Sequence, residues 1–491
     1  MFVLILILIV LALILYGWSQ YLLDKFHSVP PGPFPLPFLG NLLLVTKRPR
    51  RHEVFAELSE RYGPISTIYV GQTRFIILNG ASEIHEAIVA KGKATSNRPQ
   101  EFSPVYEGLP TAVLLGSGEK WQNLRRFTLR ALRDFGMGKS QNLERIHEEM
   151  GFFLETLELE YSNKPFYPGN LLQNSVSNII SSILFGKRFE YGDDVFVNLM
   201  VDLKAIMLRS LGGDRSQIMI HCAPILRNFI RNTRIEDMEH FIDGVGNILQ
   251  KSIAEHRQDF NPYAVRDFAD IFIQLEMTES GIDFEHFATL AMDLFIAGTE
   301  TTATLLNWSL LFMCLHPLIQ RKCQSEIDRV VDNNRLPHEN DRSELVYIDA
   351  VLCEVMRIVS IVPLAVTHCN GDHKIQFGKF VIPKRSFIVY NVWNVHNDPT
   401  YWENPQEFNP DRFIGENGEL LRHNSHFMPF GVGPRACLGE NLAKTESFIY
   451  FTSLMHRFKF SLVPGQNVDI RQSLPGVTHS PPFYQLLFSG R

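Results

Sequence analysis

The chain has 491 residues, 45% of them hydrophobic and 20% charged, which is enough apolar material for a large core. A formal net charge of −6 argues against nucleic acid as a main partner, because proteins that bind it carry a basic footprint. Length alone suggests about three domains, yet no Gly/Ser linker, charge block or repeat divides the sequence, so a single large folded body is expected.

Residues Phe2 to Tyr16 are apolar without interruption, and the run continues to Leu23. About 20 such residues cross a bilayer as a helix. No basic segment precedes the run and no small-residue cleavage site follows it, so residues 1–23 read as a retained membrane anchor rather than a signal peptide. Lys25, Lys47, Arg48, Arg50 and Arg51 come after it, which directs the body of the protein to the cytosolic face. Residues 24–50 carry Pro30, Pro31, Pro33, Pro35 and Pro37 and read as a stiff hinge, leaving 51–491 as the main domain.

Two hairpins are predicted. Ile65–Val70 and Thr73–Leu78 are β-prone runs joined by Gly71-Gln72, and Lys374–Phe377 and Phe380–Ile382 flank Gly378-Lys379. Long amphipathic helices are expected near 119–135, 142–161, 234–258, 283–315 and 317–332. Asp283 is a good N-cap, and a helix from there to Pro317 would span roughly 45–50 Å. The expected fold is mainly α with a small β region.

Six cysteines, at 222, 314, 323, 353, 369 and 437, lack any framework spacing, as in a reducing compartment. Cys437 stands apart because it falls in Phe430-Gly431-Val432-Gly433-Pro434-Arg435-Ala436-Cys437-Leu438-Gly439. That string has the form FxxGxRxCxG and resembles the haem-ligand signature of the cytochromes P-450. The resemblance covers essentially the whole chain and is nearest to the microsomal clan holding the family-2 hydroxylases of animals. It implies a single cytochrome P-450-type fold preceded by a transmembrane helix, with haem b ligated through a Cys437 thiolate. Gly431, Gly433 and Gly439 would let the loop turn tightly near the macrocycle. Arg435 would pair with a haem propionate.

The other motifs follow in the order the resemblance requires. Ala297-Gly298-Thr299-Glu300-Thr301-Thr302 looks like the oxygen-activation segment, with Thr301 and Glu300 as the alcohol and acid that deliver protons. Gly298 would leave room for dioxygen and substrate. Trp121 and Arg125 form a WxxxR pair that by resemblance contacts a propionate, and Arg98 and His368 occupy positions of further propionate contacts. Phe430 and Gly431 complete the cofactor-binding set. Glu354, Arg357 and Arg412 resemble the family's structural charge network, with Asp411 where Glu is common.

The resemblance also implies partners. Electrons from NADPH would arrive through a flavoprotein reductase, with cytochrome b5 as a second candidate donor, at the endoplasmic reticulum membrane. Arg126, Arg130 and Arg133 recur at i, i+4 and i+7 as a basic docking stripe. Val113, Leu114, Phe295, Ala297, Ile361 to Val366 and Val477 are candidates to line a pocket for a lipophilic substrate such as a steroid, terpenoid, fatty acid or foreign compound. The segment from Ile218 to Leu226 is a candidate membrane rest. Monooxygenation leads over two other readings: a peroxide isomerase or dehydratase on the same scaffold, which Glu300 and Thr301 count against, and a non-enzymatic haem carrier or sensor, for which nothing in the sequence looks built.

Overall fold

The computed structural model describes all residues except 1, 27, 103–110, 135–139, 210–219, 221, 223–228, 230–232, 278–282, 422, 424 and 475. Among the described residues the longer helices are α1 Phe2–Gly17, α2 Arg51–Tyr62, α3 Gly118–Asp134, α4 Ser140–Tyr161, α5 Pro168–Phe185 and α6 Asp194–Arg209. They continue as α7 Thr233–His256, α8 Phe268–Met277, α9 Phe284–Leu315, α10 Pro317–Val330, α11 Val346–Val359 and α12 Glu440–Arg457. The strands are β1 Ile65–Val70, β2 Thr73–Leu78, β3 His368–Cys369, β4 Ile375–Phe377, β5 Phe380–Ile382, β6 Phe387–Tyr390, β7 Phe458–Leu462 and β8 Leu486–Gly490.

The arrangement is built on α9. The Asp283 carboxylate accepts a hydrogen bond from the His286 N–H at 2.9 Å and fixes its start. His316, standing before a proline, leaves the helical region, and Pro317 opens α10 instead. The 32 residues between are apolar nearly all round and mostly buried, which is the signature of a helix that crosses a core. Helices α5, α7 and α12 pack on it.

The sheet is small. A four-stranded sheet runs β1-β2-β6-β3, with β1/β2 and β3/β6 antiparallel and β2/β6 parallel. The first hairpin falls where the sequence placed it, Val70 facing Thr73 across Gly71, whose φ of +60° suits a tight two-residue turn. The second, β4/β5, begins one residue later than expected, at Ile375. The main apolar cluster lies among the helices, and a smaller one lies against the sheet around Ile76, Leu78 and Ile388.

The amino terminus departs from the expected single span. α1 has 16 residues, about 24 Å of helix against the roughly 30 Å of a bilayer's hydrocarbon. No single helix among the described residues is long and apolar enough to cross a membrane. The helix breaks at Trp18 and resumes as Ser19–Asp24. Its end is tied to the sheet, because buried Asp24 pairs with Arg74 and accepts from the Tyr69 hydroxyl at 2.8 Å. The proline segment is braced too, the Pro31 carbonyl accepting from Thr67 N–H at 2.8 Å. Of the 218–226 segment, Ile220 is described and buried, while Ile218, Met219, Ile225 and Leu226 lie outside the described residues.

Candidate active site

The loop before α12 is held by its own backbone. The Cys437 N–H donates to the Phe430 carbonyl at 2.9 Å, and the Ala436 N–H to Gly433 at 3.0 Å. Gly433 has φ of +74°, and a Cβ there would sit 2.3 Å from the Ile88 carbonyl oxygen, so only glycine fits. Gly439 differs from expectation. Its φ is ordinary and a Cβ would meet nothing, so no turn demands glycine there. What the position contributes is its N–H, which favours the ionised form of Cys437.

Cys437 is surrounded by protein yet exposed, because its open side faces an internal cavity of about 780 Å³. Burial raises the pKa of its thiol, while the Gly439 N–H and the Arg125 charge pull it down. Phe430, Gly431 and Arg435 line the same cavity, as do Thr301, Gly298 and Ala297 from α9 across it.

The Thr301 hydroxyl donates to the Ala297 carbonyl at 2.8 Å, the back-bond expected for a mid-helix threonine. Gly298 borders the cavity, but an added Cβ would lie 2.5 Å from Ile180 Cδ1, so close packing of α5 on α9 also demands glycine. Glu300 does not line the cavity. Its carboxylate is held on the flank by Gln173 Nε2 at 3.0 Å and the Thr478 hydroxyl at 3.1 Å, and burial raises its pKa.

Four expected cofactor contacts converge beside the loop. The Arg435 guanidinium donates to the carbonyls of Ser96 at 2.8 Å and Val113 at 3.1 Å. Arg98 donates to Leu114 at 3.0 Å and Val366 at 2.6 Å, and Arg125 to Ala436. The three cations line one cavity, and the carboxylate set against two of them is Asp293. Burial, then the charges of Arg98 and Arg125, push Arg435 down to about 8, with Asp293 opposing. Trp121 lies behind Arg435, its ring centroid 3.5 Å from the guanidinium carbon, and its buried indole N–H has no hydrogen-bond partner. Surplus cations with an unused donor fit a group that carries carboxylates.

His368 also lines the cavity, with its Nδ1 2.9 Å from the Thr95 carbonyl oxygen. A carbonyl can only accept, so the proton sits on Nδ1, and burial beside Arg98 keeps the ring neutral. Its Nε2 is therefore an acceptor in this state, not the donor a propionate needs.

Glu354, Arg357 and Arg412 meet away from the cavity. Arg357 grips Glu354 through two bonds, at 2.6 and 2.8 Å, and Arg412 Nε reaches it at 3.1 Å. Asp411 pairs with Lys322 at 2.6 Å. Arg126, Arg130 and Arg133 are all exposed on α3, while Arg125 turns inward.

Of the expected pocket residues, Phe295 is misplaced. It is fully buried against Phe185 and Phe241, with ring centroids at 6.3 and 6.0 Å, and does not border the cavity. Val113, Leu114, Ala297, Ile361 to Val366 and Val477 all do. Sequence reasoning missed Asp293, whose carboxylate accepts from Leu114 N–H at 2.7 Å and is pushed up to about 7 by burial. Asp293, Ala297 and Thr301 line the cavity together from α9, but that helix is apolar nearly all round, so nothing in its sequence marked this face.

Residues 30–488 match the family model described as Cytochrome P450. Cytochrome P450 2B19 of Mus musculus is 37% identical over 472 residues, covering 94% of each chain. Cytochrome P450 2B4 of Oryctolagus cuniculus is 36% identical over 477 residues, covering 95% of each. Cytochrome P450 2J2 of Homo sapiens is 37% identical over 477 residues, covering 94% of this chain and 91% of that one. With a cysteine loop opening on a large cavity and relatives of this identity along nearly its whole length, the chain belongs to the cytochrome P450 family and is a haem b-binding monooxygenase.

Proposed function

We propose that this chain inserts one atom of dioxygen into a lipophilic substrate, using electrons from NADPH that arrive through a flavoprotein reductase, with cytochrome b5 as a second candidate donor. The observation that carries this reading is that the Cys437 thiol and the Thr301 hydroxyl open onto one largely apolar cavity. Haem b, when bound, supplies iron whose thiolate ligand favours cleavage of the O–O bond.

The residues divide that work. Cys437 would ligate the iron, its negative charge held by the Gly439 N–H and Arg125. Arg98, Arg125 and Arg435 would hold the propionates, with Trp121 backing Arg435. His368 would join them only as an imidazolium, since its one ring proton is taken by Thr95. Thr301 would hold a proton at Oγ1, which would turn from the Ala297 carbonyl to serve the cavity. Glu300 would supply the next one, through water, because its carboxyl stands off the cavity surface. Val113, Ala297, Ile361, Leu364 and Val477 would orient a lipophilic substrate by shape.

Residues 1–23 would anchor the protein in the endoplasmic reticulum membrane with the body on the cytosolic face. The 24–50 segment would be a braced connection, given the Asp24–Arg74 tie, and 51–491 the haem domain. Arg126, Arg130 and Arg133 would receive the reductase.

Purified protein is the test. Reduced and exposed to carbon monoxide, it should show the red-shifted Soret band of a thiolate complex, and Cys437→Ala should abolish both that band and turnover. Turnover should stop when NADPH or the reductase is withheld, and Arg130→Glu should weaken its dependence on reductase in a salt-sensitive way. A wild-type spectrum without the band would sink the reading.

A further inference from the structure

The cavity does not end at the cysteine loop. Its lining continues to Val45 and to Arg48-Pro49-Arg50-Arg51-His52, the connection that leads into α2. Arg48 is exposed and Arg50 and Arg51 are half-buried, so the cavity reaches the surface here. The segment is fixed at its far end. The His52 carbonyl accepts from Asn391 Nδ2 at 2.9 Å, and the His52 ring lies 5.1 Å from both Trp393 and His479. The His479 N–H in turn donates to the Ile361 carbonyl at 2.8 Å, and Leu364 packs on the cluster that holds Val45. The mouth thus adjoins the apolar wall of Ile361, Leu364 and Val477.

The charge at this mouth is of one sign. Among the described residues that line the cavity, the carboxylates are Asp293, set against Arg98 and Arg435, and Glu446 on α12. Arg48 pairs with Glu57, and Arg50 with Glu53 at 3.1 Å. Both acids stand off the lining, and ion pairs that water reaches contribute little. Burial, then the charges of His479 and Arg50, keep His52 neutral, so it neither adds to the cations nor offsets them. These arginines are also distinct from the group beside the cysteine loop. The charges that act on Cys437 and Arg435 come from Arg98, Arg125, Asp293 and Glu440, and none comes from residues 48–51. An apolar wall that ends on three guanidiniums is complementary to a molecule apolar along its length and anionic at one end.

We infer that Arg48, Arg50 and Arg51 receive the carboxylate of a chain-like acid whose apolar body runs past Leu364 and Val477 towards Thr301 and Cys437. The inference rests on reading this cavity as the substrate site of a monooxygenase, and it narrows the lipophilic substrate to an amphipathic acid. The head stays at the end that water reaches, where little desolvation opposes it. There the guanidiniums exchange the Glu53 and Glu57 carboxylates for that of the ligand. The chain is held by shape. A neutral lipophile of the same length would use the wall and leave the three arginines to their surface partners.

The test is calorimetric titration of the haem-loaded full chain, in neutral detergent, with dodecanoic acid and with its methyl ester. Wild type should bind the acid about tenfold more tightly than the ester, and that ratio should fall as salt rises. Replacing all three arginines, as Arg48→Gln, Arg50→Gln and Arg51→Gln together, should weaken the acid, spare the ester and bring the two within about twofold. If the triple variant does not fold, Arg48→Glu at its exposed position should still lower the ratio at least about threefold. Equal wild-type affinities for acid and ester would overturn the proposal. So would a preference for the acid that survives these substitutions, since the head would then lie elsewhere. Calorimetry needs no signal from iron, so the reduced carbon-monoxide spectrum judges the Cys437 reading separately: a wild type without the thiolate band would condemn that reading and leave the acid-to-ester ratio to judge the mouth.

Discussion

Two buried arginine clusters in this molecule look alike in sequence and differ in kind. Around Glu354, each charge finds a partner: Arg357 is fully buried, grips the carboxylate with two bonds and spends a third donor on the His396 carbonyl at 2.7 Å. Around Arg435, the cations outnumber the carboxylates among the described residues, the donors seen go to backbone carbonyls, and like charges face each other. A charge network closed on itself holds the fold, and a surplus of one sign on a cavity wall is complementary to something not part of the chain. On the function proposed above, one cluster would belong to the architecture and the other to cofactor binding, although both read as scattered arginines on a bare sequence.

The largest way to break this contrast is in the closed network. Glu354→Ala leaves two guanidiniums buried without their carboxylate, and truncating one side of such a pair costs about 3–5 kcal/mol. Urea unfolding should show that loss in haem-depleted and haem-loaded protein alike. A loss confined to the loaded form would mean that the network belongs to the site.

The next effect is at the open cluster and concerns a ligand without iron. Protoporphyrin IX lacking metal carries two propionates, and its dimethyl ester carries none. Hydrogen bonds to charged groups are worth about 1.5–3 kcal/mol, so haem-depleted protein should bind the free acid about ten- to a hundredfold more tightly than the ester. Arg435→Gln should shrink that ratio. Equal fluorescence-titration affinities for acid and ester would deny the cations their role.

What the sequence disclosed depended on how locally each feature is determined. The Gly71 hairpin, the Asp283 cap and the Pro317 break are set by a few neighbouring residues, and they stand where those residues place them. The Cys437 loop is also local, one glycine in it being forced by contact with Ile88. By contrast, α9 is apolar on every side, so no stripe distinguishes the cavity face, and Phe295 was assigned to the wrong one. Asp293 and Glu446 become visible only when α9, α12 and the Leu114 loop meet in space. The amino-terminal run read as one span because hydropathy cannot register the break at Trp18 or the pull of Arg74 on Asp24.

The smallest effect sharpens the contrast at single-bond resolution, through two buried tryptophans. The Trp308 indole N–H donates to the His479 carbonyl at 2.6 Å, whereas the Trp121 N–H has no partner. Replacing either by phenylalanine removes similar ring area, so the packing losses largely cancel between the two variants. Trp308→Phe also strands a buried carbonyl, which costs about 1–3 kcal/mol. Trp121→Phe strands nothing and relieves a buried donor of its missing bond. In haem-depleted protein Trp308→Phe should therefore be the more destabilising by about 1–2 kcal/mol, read from paired denaturant midpoints. Adding haem should narrow the gap only if the Trp121 N–H acquires a partner with the cofactor, since Trp308 already has its own. A gap indifferent to haem would place Trp121 with the architecture and leave the propionates to the three arginines.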